Sequence, residues 1–231
     1  MPDRILAPVR ILVSVMTVLL VAVVLPAAVA AQARTAAVGR VERADGGSCT
    51  GTLIAPNRVL TAAHCVFNAD NKERVRPSDL QFRAGAAGQR AVAESGVTAV
   101  DLPKSYRYRP QPSRLGHLHC DLAILTLAEP LAIDPIAPAR ANRAASFDAI
   151  GYPAYAPKYQ SKQHGCTRSD RETPPGIWPT TCFAFPGVSG APLLTPTDPP
   201  KVFGVIVGRW NRVSIAIPLL KSGCARLTGD E

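Results

Sequence analysis

The chain has 231 residues, of which 47% are hydrophobic and 19% charged. This balance is typical of a globular protein with a sizeable core and excludes disorder throughout. The net charge is +9, and the basic residues are scattered along the chain. No basic stretch is interleaved with aromatic residues, so the sequence does not indicate a nucleic-acid-binding protein. A solvated positive surface accounts for the charge, although its field could also favour acidic substrates.

The N-terminal segment is set apart by its order of charge and hydropathy. Two arginines precede an apolar block, Ile11–Leu25, and small residues follow Pro26. This order predicts a secretory signal peptide over residues 1–31, with cleavage after Ala30 or Ala33. The alternative is an uncleaved membrane anchor, since a span needs about 20 residues. Cleavage is favoured, so we expect a secreted or periplasmic protein without stable membrane insertion.

All six cysteines lie beyond this segment. An even count in an exported chain is typical of disulfide bonds. No pair has the close C-x-x-C spacing of a zinc site or a dithiol redox motif. The six are Cys49, Cys65, Cys120, Cys166, Cys182 and Cys224.

Short aliphatic runs bounded by turn residues predict an all-β protein. The segment 48–61 reads as two strands joined at the turn signal Ala55-Pro56-Asn57, and TAAHCVF then forms a corner with one helical turn. LQFRAG, AVAESGVTAV and DLAILTL follow as strands, with a Pro- and Arg-rich loop, 104–114, before the last.

The second half of the chain also consists of short aliphatic runs bounded by turn residues. FDAIGY, CFAF, APLL, KVFGVIVG and RVSIAIP are strand candidates, and PLLKSGCARL has helix-like spacing. A division within 135–145 predicts two β-rich domains, 35–140 and 141–231, as in a double barrel.

Three segments carry side chains whose chemistry fits together. They are TAAHC with His64, CDLAIL with Asp121 and GVSGAP with Ser189. A serine hydroxyl is a poor nucleophile until an imidazole accepts its proton, and the imidazole needs a carboxylate to orient it. Asp101 is a weaker candidate for the carboxylate, because it precedes Leu-Pro in a predicted loop.

Each of these residues also has a structural interpretation. Ser189 could be a turn serine, His64 a corner residue and Asp121 a carboxylate at the start of a strand. His117 and His119 form an H-x-H pair that could bind a metal, but no third ligand is apparent.

The same segments resemble chymotrypsin-like serine proteases. CTGTLIAPNRVLTAAHC resembles their histidine region, DLAIL their aspartate segment and GVSGAP their G-D-S-G-G-P serine loop. The resemblance covers about Val38 to Leu227, is closest to the short bacterial trypsin-like and glutamyl-endopeptidase-like branches, and matches the family's His, Asp, Ser order. It implies two antiparallel six-stranded β-barrels, a short C-terminal helix and a triad in the cleft.

The resemblance also implies an oxyanion hole and a set of disulfide bonds. The backbone N–H groups of Gly187 and Ser189 would bind the oxyanion. The implied bonds are Cys49–Cys65 and Cys166–Cys182, which leaves Cys120 for Cys224.

The chain departs from the family pattern around the serine. Val188 replaces the Asp of G-D-S-G-G-P, and Ala191 replaces its second glycine after the serine. In trypsin and its zymogen relatives that Asp pairs with a new α-amino group. We therefore hypothesise that this chain is not activated by a buried amino terminus.

The pocket residues are placed by their offset from Ser189. Phe183 falls at the position of trypsin's pocket aspartate, which argues against a strict Lys or Arg preference. Ile206 falls where glutamyl endopeptidases carry a histidine, which weakens a Glu-specific interpretation. Arg209 could contact an acidic side chain, although an outward surface residue is the simpler interpretation.

Together these features predict a monomeric serine endopeptidase that cleaves proteins or peptides through an acyl-enzyme, without a metal or organic cofactor. Two alternatives remain open. The first is an inactive binding protein on the same scaffold, suggested by Val188 and Ala191. The second is an esterase, because acyl transfer chemistry does not distinguish esters from amides.

Overall fold

The computed structural model describes residues 35–109, 115–140, 146–182, 185–219 and 224. Within them the chain is nearly all β, with short 3-10 helices at Ala63–Val66, Pro77–Asp79 and Leu115–Leu118. The strands are β1 (Val38–Arg43), β2 (Ser48–Ala55), β3 (Arg58–Thr61), β4 (Leu80–Ala84), β5 (Ala93–Asp101), β6 (Ala123–Leu127), β7 (Phe147–Gly151), β8 (Ser161–Cys166), β9 (Trp178–Thr180), β10 (Pro192–Leu194), β11 (Val202–Trp210) and β12 (Val213–Pro218).

Several predictions fall outside these ranges. They concern the signal peptide over 1–31, the C-terminal helical segment beyond Leu219, Phe183, and the end of the 104–114 loop. Among the residues that the structure describes, we find no helix with the length and apolar character needed to cross a bilayer.

The first six strands form a closed barrel in the order β1-β2-β3-β6-β5-β4. In β4 the side chains of Leu80, Phe82 and Ala84 are buried, while Gln81 and Arg83 are less so. This alternation follows from the pleat of a strand, which points successive side chains to opposite faces.

The last six strands form a second antiparallel sheet in the order β8-β7-β10-β11-β12-β9. Its two edges approach each other just beyond β8, where Ser169 N–H donates to the Pro179 carbonyl and Thr181 N–H donates to the Thr167 carbonyl. The all-β, chymotrypsin-like fold that the sequence predicts is confirmed. The strand predicted at CFAF is wrong at its ends, because Cys182 and Phe185 lie in bends.

β11 connects the two halves of the core. From Val202 to Val207 every residue is buried. Val205 belongs to the large apolar cluster that includes the first barrel, whereas Phe203 and Ile206 belong to a smaller cluster within the second sheet. A strand buried on both faces has a continuous apolar run in its sequence, which is what KVFGVIVG shows.

Three disulfide bonds join the six cysteines in the pairs that the resemblance implies. The bonds are Cys49–Cys65, Cys120–Cys224 and Cys166–Cys182. Within the second of these, Cys120 precedes Asp121 and has a φ of 60°, a left-handed conformation that is uncommon for a residue other than glycine.

Candidate active site

His64 and Asp121 lie at the same end of two paired strands. β3 and β6 are antiparallel neighbours in which Thr61 is opposite Ala123. His64 follows β3 within the 3-10 turn Ala63–Val66, and Asp121 precedes β6. The chain leaves one strand where it enters the other, so the two side chains meet although they are 57 residues apart in sequence.

Both oxygens of the Asp121 carboxylate hold His64. Nδ1 of the ring lies 2.8 Å from Oδ2, and the backbone N–H of His64 donates to Oδ1 over 2.8 Å. An ionised carboxylate only accepts hydrogen bonds, so the proton of a neutral His64 lies on Nδ1 and Nε2 is left as an acceptor. The Asp121 side chain is 2% exposed and that of His64 is 28% exposed, so the ring remains accessible to a substrate.

The surroundings of His64 make its imidazole more basic. Burial is the largest single influence on its pKa and lowers it, and the charge of Arg43 adds a small effect in the same direction. The charge of Asp121 and its hydrogen bond raise the pKa, and together they outweigh burial, so the pKa lies above its ordinary value of 6.5. A more basic imidazole is a better acceptor for a serine proton.

Tyr106 borders the carboxylate of Asp121. Its side chain is buried. Burial, followed by the charge of Asp121, the neighbouring Tyr108 and a hydrogen bond to Asp121, raises the pKa of the Tyr106 hydroxyl. Phe67 stacks on Tyr108 with 4.5 Å between ring centroids and is tilted against Tyr106 at 6.0 Å. These rings help to shield the carboxylate from water.

Ser189 lies in a loop, residues 185–191, that packs against β2. Its carbonyl oxygen accepts a hydrogen bond from Thr50 N–H over 2.8 Å. Sγ of Cys65 lies 3.9 Å from this carbonyl oxygen and 3.9 Å from Nε2 of His64. The loop is therefore anchored close to the nitrogen of His64 that does not face Asp121.

Two glycines give this loop its shape. Gly187 has a φ of 88° and Gly190 a φ of 89°, in the region that favours glycine. A Cβ at Gly187 would overlap the carbonyl oxygen of Tyr152, and a Cβ at Gly190 would overlap the carbonyl oxygen of Thr50. A side chain at either position would therefore move the backbone of the loop.

The amides of Gly187 and Ser189 are oriented through the carbonyls that precede them. The carbonyl of Pro186 accepts a backbone N–H from the loop after β7 over 2.8 Å, and that of Val188 accepts the N–H of Ala191 over 2.9 Å. A trans peptide directs its N–H opposite to its C=O, so both amides point away from these partners. In the described part of the chain, neither amide donates a hydrogen bond.

Val188 is 3% exposed and packs in the smaller apolar cluster with Ala191 and Ile206. A valine side chain offers no acceptor to an amino group. Packing and the hydrogen bonds of the loop hold its shape in this structure.

The predicted pocket residues have different surroundings. Phe183 lies outside the described residues. Ile206 is 0% exposed, and its carbonyl accepts the N–H of Gly190 over 2.7 Å, so it supports the Ser189 loop and its side chain is not at the surface. Arg209 is exposed on β11, opposite Ser214.

In the part of the chain that the structure describes, two clusters of His and Cys side chains have donor atoms close enough together for a metal ion. Their sulfurs are disulfide-bonded and so provide no thiolate, the form of cysteine that binds metals. His117, which the sequence pairs with His119 as a possible metal ligand, belongs to neither cluster. The clusters are Cys49, His64 and Cys65, and His119, Cys120 and Cys224.

The fold and the site together define a protein of the chymotrypsin-like fold class. The family model described as the trypsin-like peptidase domain matches residues 49–205, which is more than half of the chain. The chain therefore belongs to this family, and the predicted membership is confirmed.

Comparison with individual proteins gives one likeness in sequence and one in fold. A trypsin of Saccharopolyspora erythraea is 34% identical over 98 residues, a match that covers 42% of this chain and 37% of that protein's length. A solved structure of a Glu endopeptidase in complex with MPD has a TM-score of 0.66 at 21% identity, and the match covers 81% of this chain and 86% of that chain. At this identity the second likeness shows the fold.

The sequence did not predict three residues at this site. Thr50 and Tyr152 contact the Ser189 loop, and Tyr106 borders Asp121. A weak signal exists for Thr50, which lies directly after Cys49 in the histidine-region motif. Tyr106 and Tyr152 lie in segments without a motif.

Proposed function

We propose that this chain is a serine endopeptidase in which Ser189 is the nucleophile, His64 the general base and Asp121 the residue that orients His64. The observation that carries the proposal is the buried Asp121 carboxylate, which bonds both Nδ1 and the backbone N–H of His64. This arrangement presents Nε2 as the proton acceptor, and the Ser189 loop is anchored beside that nitrogen.

The reaction proceeds in two stages. The Ser189 hydroxyl attacks a peptide carbonyl carbon while Nε2 of His64 takes its proton. The amides of Gly187 and Ser189 stabilise the oxyanion that forms. The C–N bond then breaks as His64 returns the proton to the leaving amine, which leaves the acyl group on Ser189. In the second stage water attacks the acyl carbon while His64 takes its proton, and the proton passes to the Ser189 oxygen as the ester bond breaks.

We also propose that the protein is exported and that residues 1–31 are its signal peptide. Its three disulfide bonds support this proposal, because such bonds form and persist in oxidising compartments. The two predicted domains, 35–140 and 141–231, are proposed to be the two β-rich halves that meet at the site.

Hydrolysis of an unstructured protein such as casein tests the proposed function. We expect the disulfide-bonded protein to degrade casein, and Ser189→Ala to lower the rate by at least about 10³-fold. Ser78→Ala is the matched control, because Ser78 is an exposed serine in the short 3-10 helix Pro77–Asp79, and it should retain the wild-type rate.

Parallel assays with a small ester separate the alternatives. Ester hydrolysis without casein hydrolysis would identify an esterase. If neither substrate is hydrolysed by a correctly bonded protein, the endopeptidase proposal is wrong and a binding protein is favoured.

A further inference from the structure

Thr50 is a fully buried residue of β2 that contacts the Ser189 loop at two points. Its backbone N–H donates to the Ser189 carbonyl over 2.8 Å, and its hydroxyl donates to the Gly187 carbonyl over 3.1 Å. The same hydroxyl oxygen accepts the backbone N–H of Tyr152 over 3.1 Å. One side chain therefore joins three segments of the chain.

These hydrogen bonds fix the hydroxyl itself. A threonine hydroxyl has one proton to donate. Because Tyr152 N–H occupies an acceptor position, the proton is directed to Gly187. Because the Thr50 side chain is fully buried, its hydroxyl lies in a low-dielectric environment that strengthens its hydrogen bonds.

Gly187 is held on both of its peptide planes. The carbonyl before it, on Pro186, accepts the N–H of Ala154 over 2.8 Å, and its own carbonyl accepts the Thr50 hydroxyl. With a φ of 88° and no side chain, Gly187 has the conformational freedom to rotate if either bond is lost.

We propose that the Thr50 hydroxyl is a positioning group for the oxyanion hole, which it keeps in shape through the carbonyl of Gly187. The proposal rests on the proposed function. Thr50 touches no reacting atom. It holds the peptide plane that follows Gly187, while the Pro186 carbonyl holds the plane that contains the Gly187 amide, and together these bonds keep Gly187 from rotating and its amide aimed at the developing oxyanion. An amide that is already aimed before reaction stabilises the transition state at no cost of reorganisation.

Thr50→Val tests the role of the hydroxyl, because valine has nearly the same shape and the same preference for strands. Thr52→Val is the matched control. Thr52 lies two residues along β2 and is 1% exposed, and its Oγ1 has no hydrogen-bond partner among the described residues. Thr50→Ser restores a hydroxyl at the same position.

Peptide hydrolysis gives the first measurement, with a fluorogenic peptide taken from a casein cleavage site. We expect Thr50→Val to lower kcat about 10- to 100-fold, less than the loss of a direct oxyanion donor, with KM changed less than about threefold because the substrate side-chain contacts remain. Thr52→Val should keep the wild-type kcat, and Thr50→Ser should recover most of it. A structural role alone would lower the folded fraction and leave kcat per folded molecule unchanged.

Amide hydrogen exchange gives a second measurement that does not depend on activity. The Gly190 N–H donates to the Ile206 carbonyl on β11 and the Ala191 N–H donates to the Val188 carbonyl within the loop, so the exchange of both amides reports on the order of the loop. We expect both to exchange at least about tenfold faster in Thr50→Val than in wild type and Thr52→Val.

The outcomes separate the two proposals. Wild-type exchange in Thr50→Val, or a wild-type kcat per folded molecule, would overturn the role of Thr50. If the wild-type protein shows no Ser189-dependent hydrolysis, the proposed function fails, while the exchange rates still decide whether Thr50 orders the loop.

Discussion

Gly190→Ala should damage both the stability of the protein and the Ser189 loop. Gly190 has a φ of 89°, and a Cβ there would overlap the carbonyl oxygen of Thr50 and Oγ1 of Thr61. These two atoms form the Thr61–Thr50 hydrogen bond of 2.7 Å in the wall of the first barrel. An added methyl group therefore meets buried backbone that has no space to move.

The size of the effect follows from three contributions. A left-handed conformation costs a residue other than glycine about 1–2 kcal/mol, overpacking of a filled interior about 1–3 kcal/mol, and disturbance of the Thr61–Thr50 hydrogen bond about 1 kcal/mol. Partial relaxation relieves some of the overlap, so we expect the free energy of unfolding to fall by about 2–5 kcal/mol. A shift of the loop by about 1 Å would also lower kcat by about 10²-fold in the folded protein.

Urea unfolding of the oxidised protein measures the first effect, and peptide hydrolysis per folded molecule measures the second. Gly96→Ala is the matched control, because Gly96 is an exposed glycine of β5 with no atom within 4 Å of an added Cβ. It should change the free energy of unfolding by less than about 0.5 kcal/mol. A loss below about 1 kcal/mol in Gly190→Ala, with wild-type kcat, would show that the loop does not pack on β2 as described.

Four further predictions concern the triad, the amino terminus and one disulfide bond. The kcat/KM value should rise with pH, with a midpoint above 6.5, because only neutral His64 accepts a proton. Asp121→Asn should lower kcat by about 10⁴-fold and move the midpoint of the remaining activity to lower pH, since burial alone lowers the pKa of His64. Acetylation of the mature amino terminus should leave the hydrolysis rate unchanged, because Val188 offers no carboxylate to an amino group; an abolished rate would contradict this. Replacing Cys166 and Cys182 together by alanine should lower the free energy of unfolding by about 2–4 kcal/mol, as measured by urea unfolding, and an unchanged midpoint would contradict it.

The strands that the sequence predicts are those with a strong apolar pattern. β2 and β3 are separated by a turn signal, and β11 is a continuous apolar run. Both patterns are local, so a short window of sequence contains the information.

The strands that it missed lack such a pattern. β8 is a mostly polar edge strand, and β9 has three residues with a proline at its centre. β1 mixes charged and apolar residues. These strands are specified by the neighbours with which they pair, which sequence windows do not show.

The sequence predicted the triad residues of the candidate site but not the residues that support them. His64, Asp121 and Ser189 stand in motifs, so a resemblance could identify them. Thr50 acts through side-chain contacts with residues 102 and 137 positions further along the chain. Contacts of this kind exist only in the folded protein, so the position of Thr50 next to Cys49 in the histidine-region motif was only a weak signal of them.

Labelling by a fluorophosphonate tests most directly whether this chain holds an activated serine. The reagent bonds covalently to a nucleophilic serine hydroxyl, and mass spectrometry of the digested protein then locates the label. We expect stoichiometric labelling at Ser189 in the disulfide-bonded protein, with none in Ser189→Ala and a rate reduced by at least about 10³-fold in His64→Ala. A folded wild-type protein that remains unlabelled, or that is labelled equally well without His64, would contradict the proposed triad.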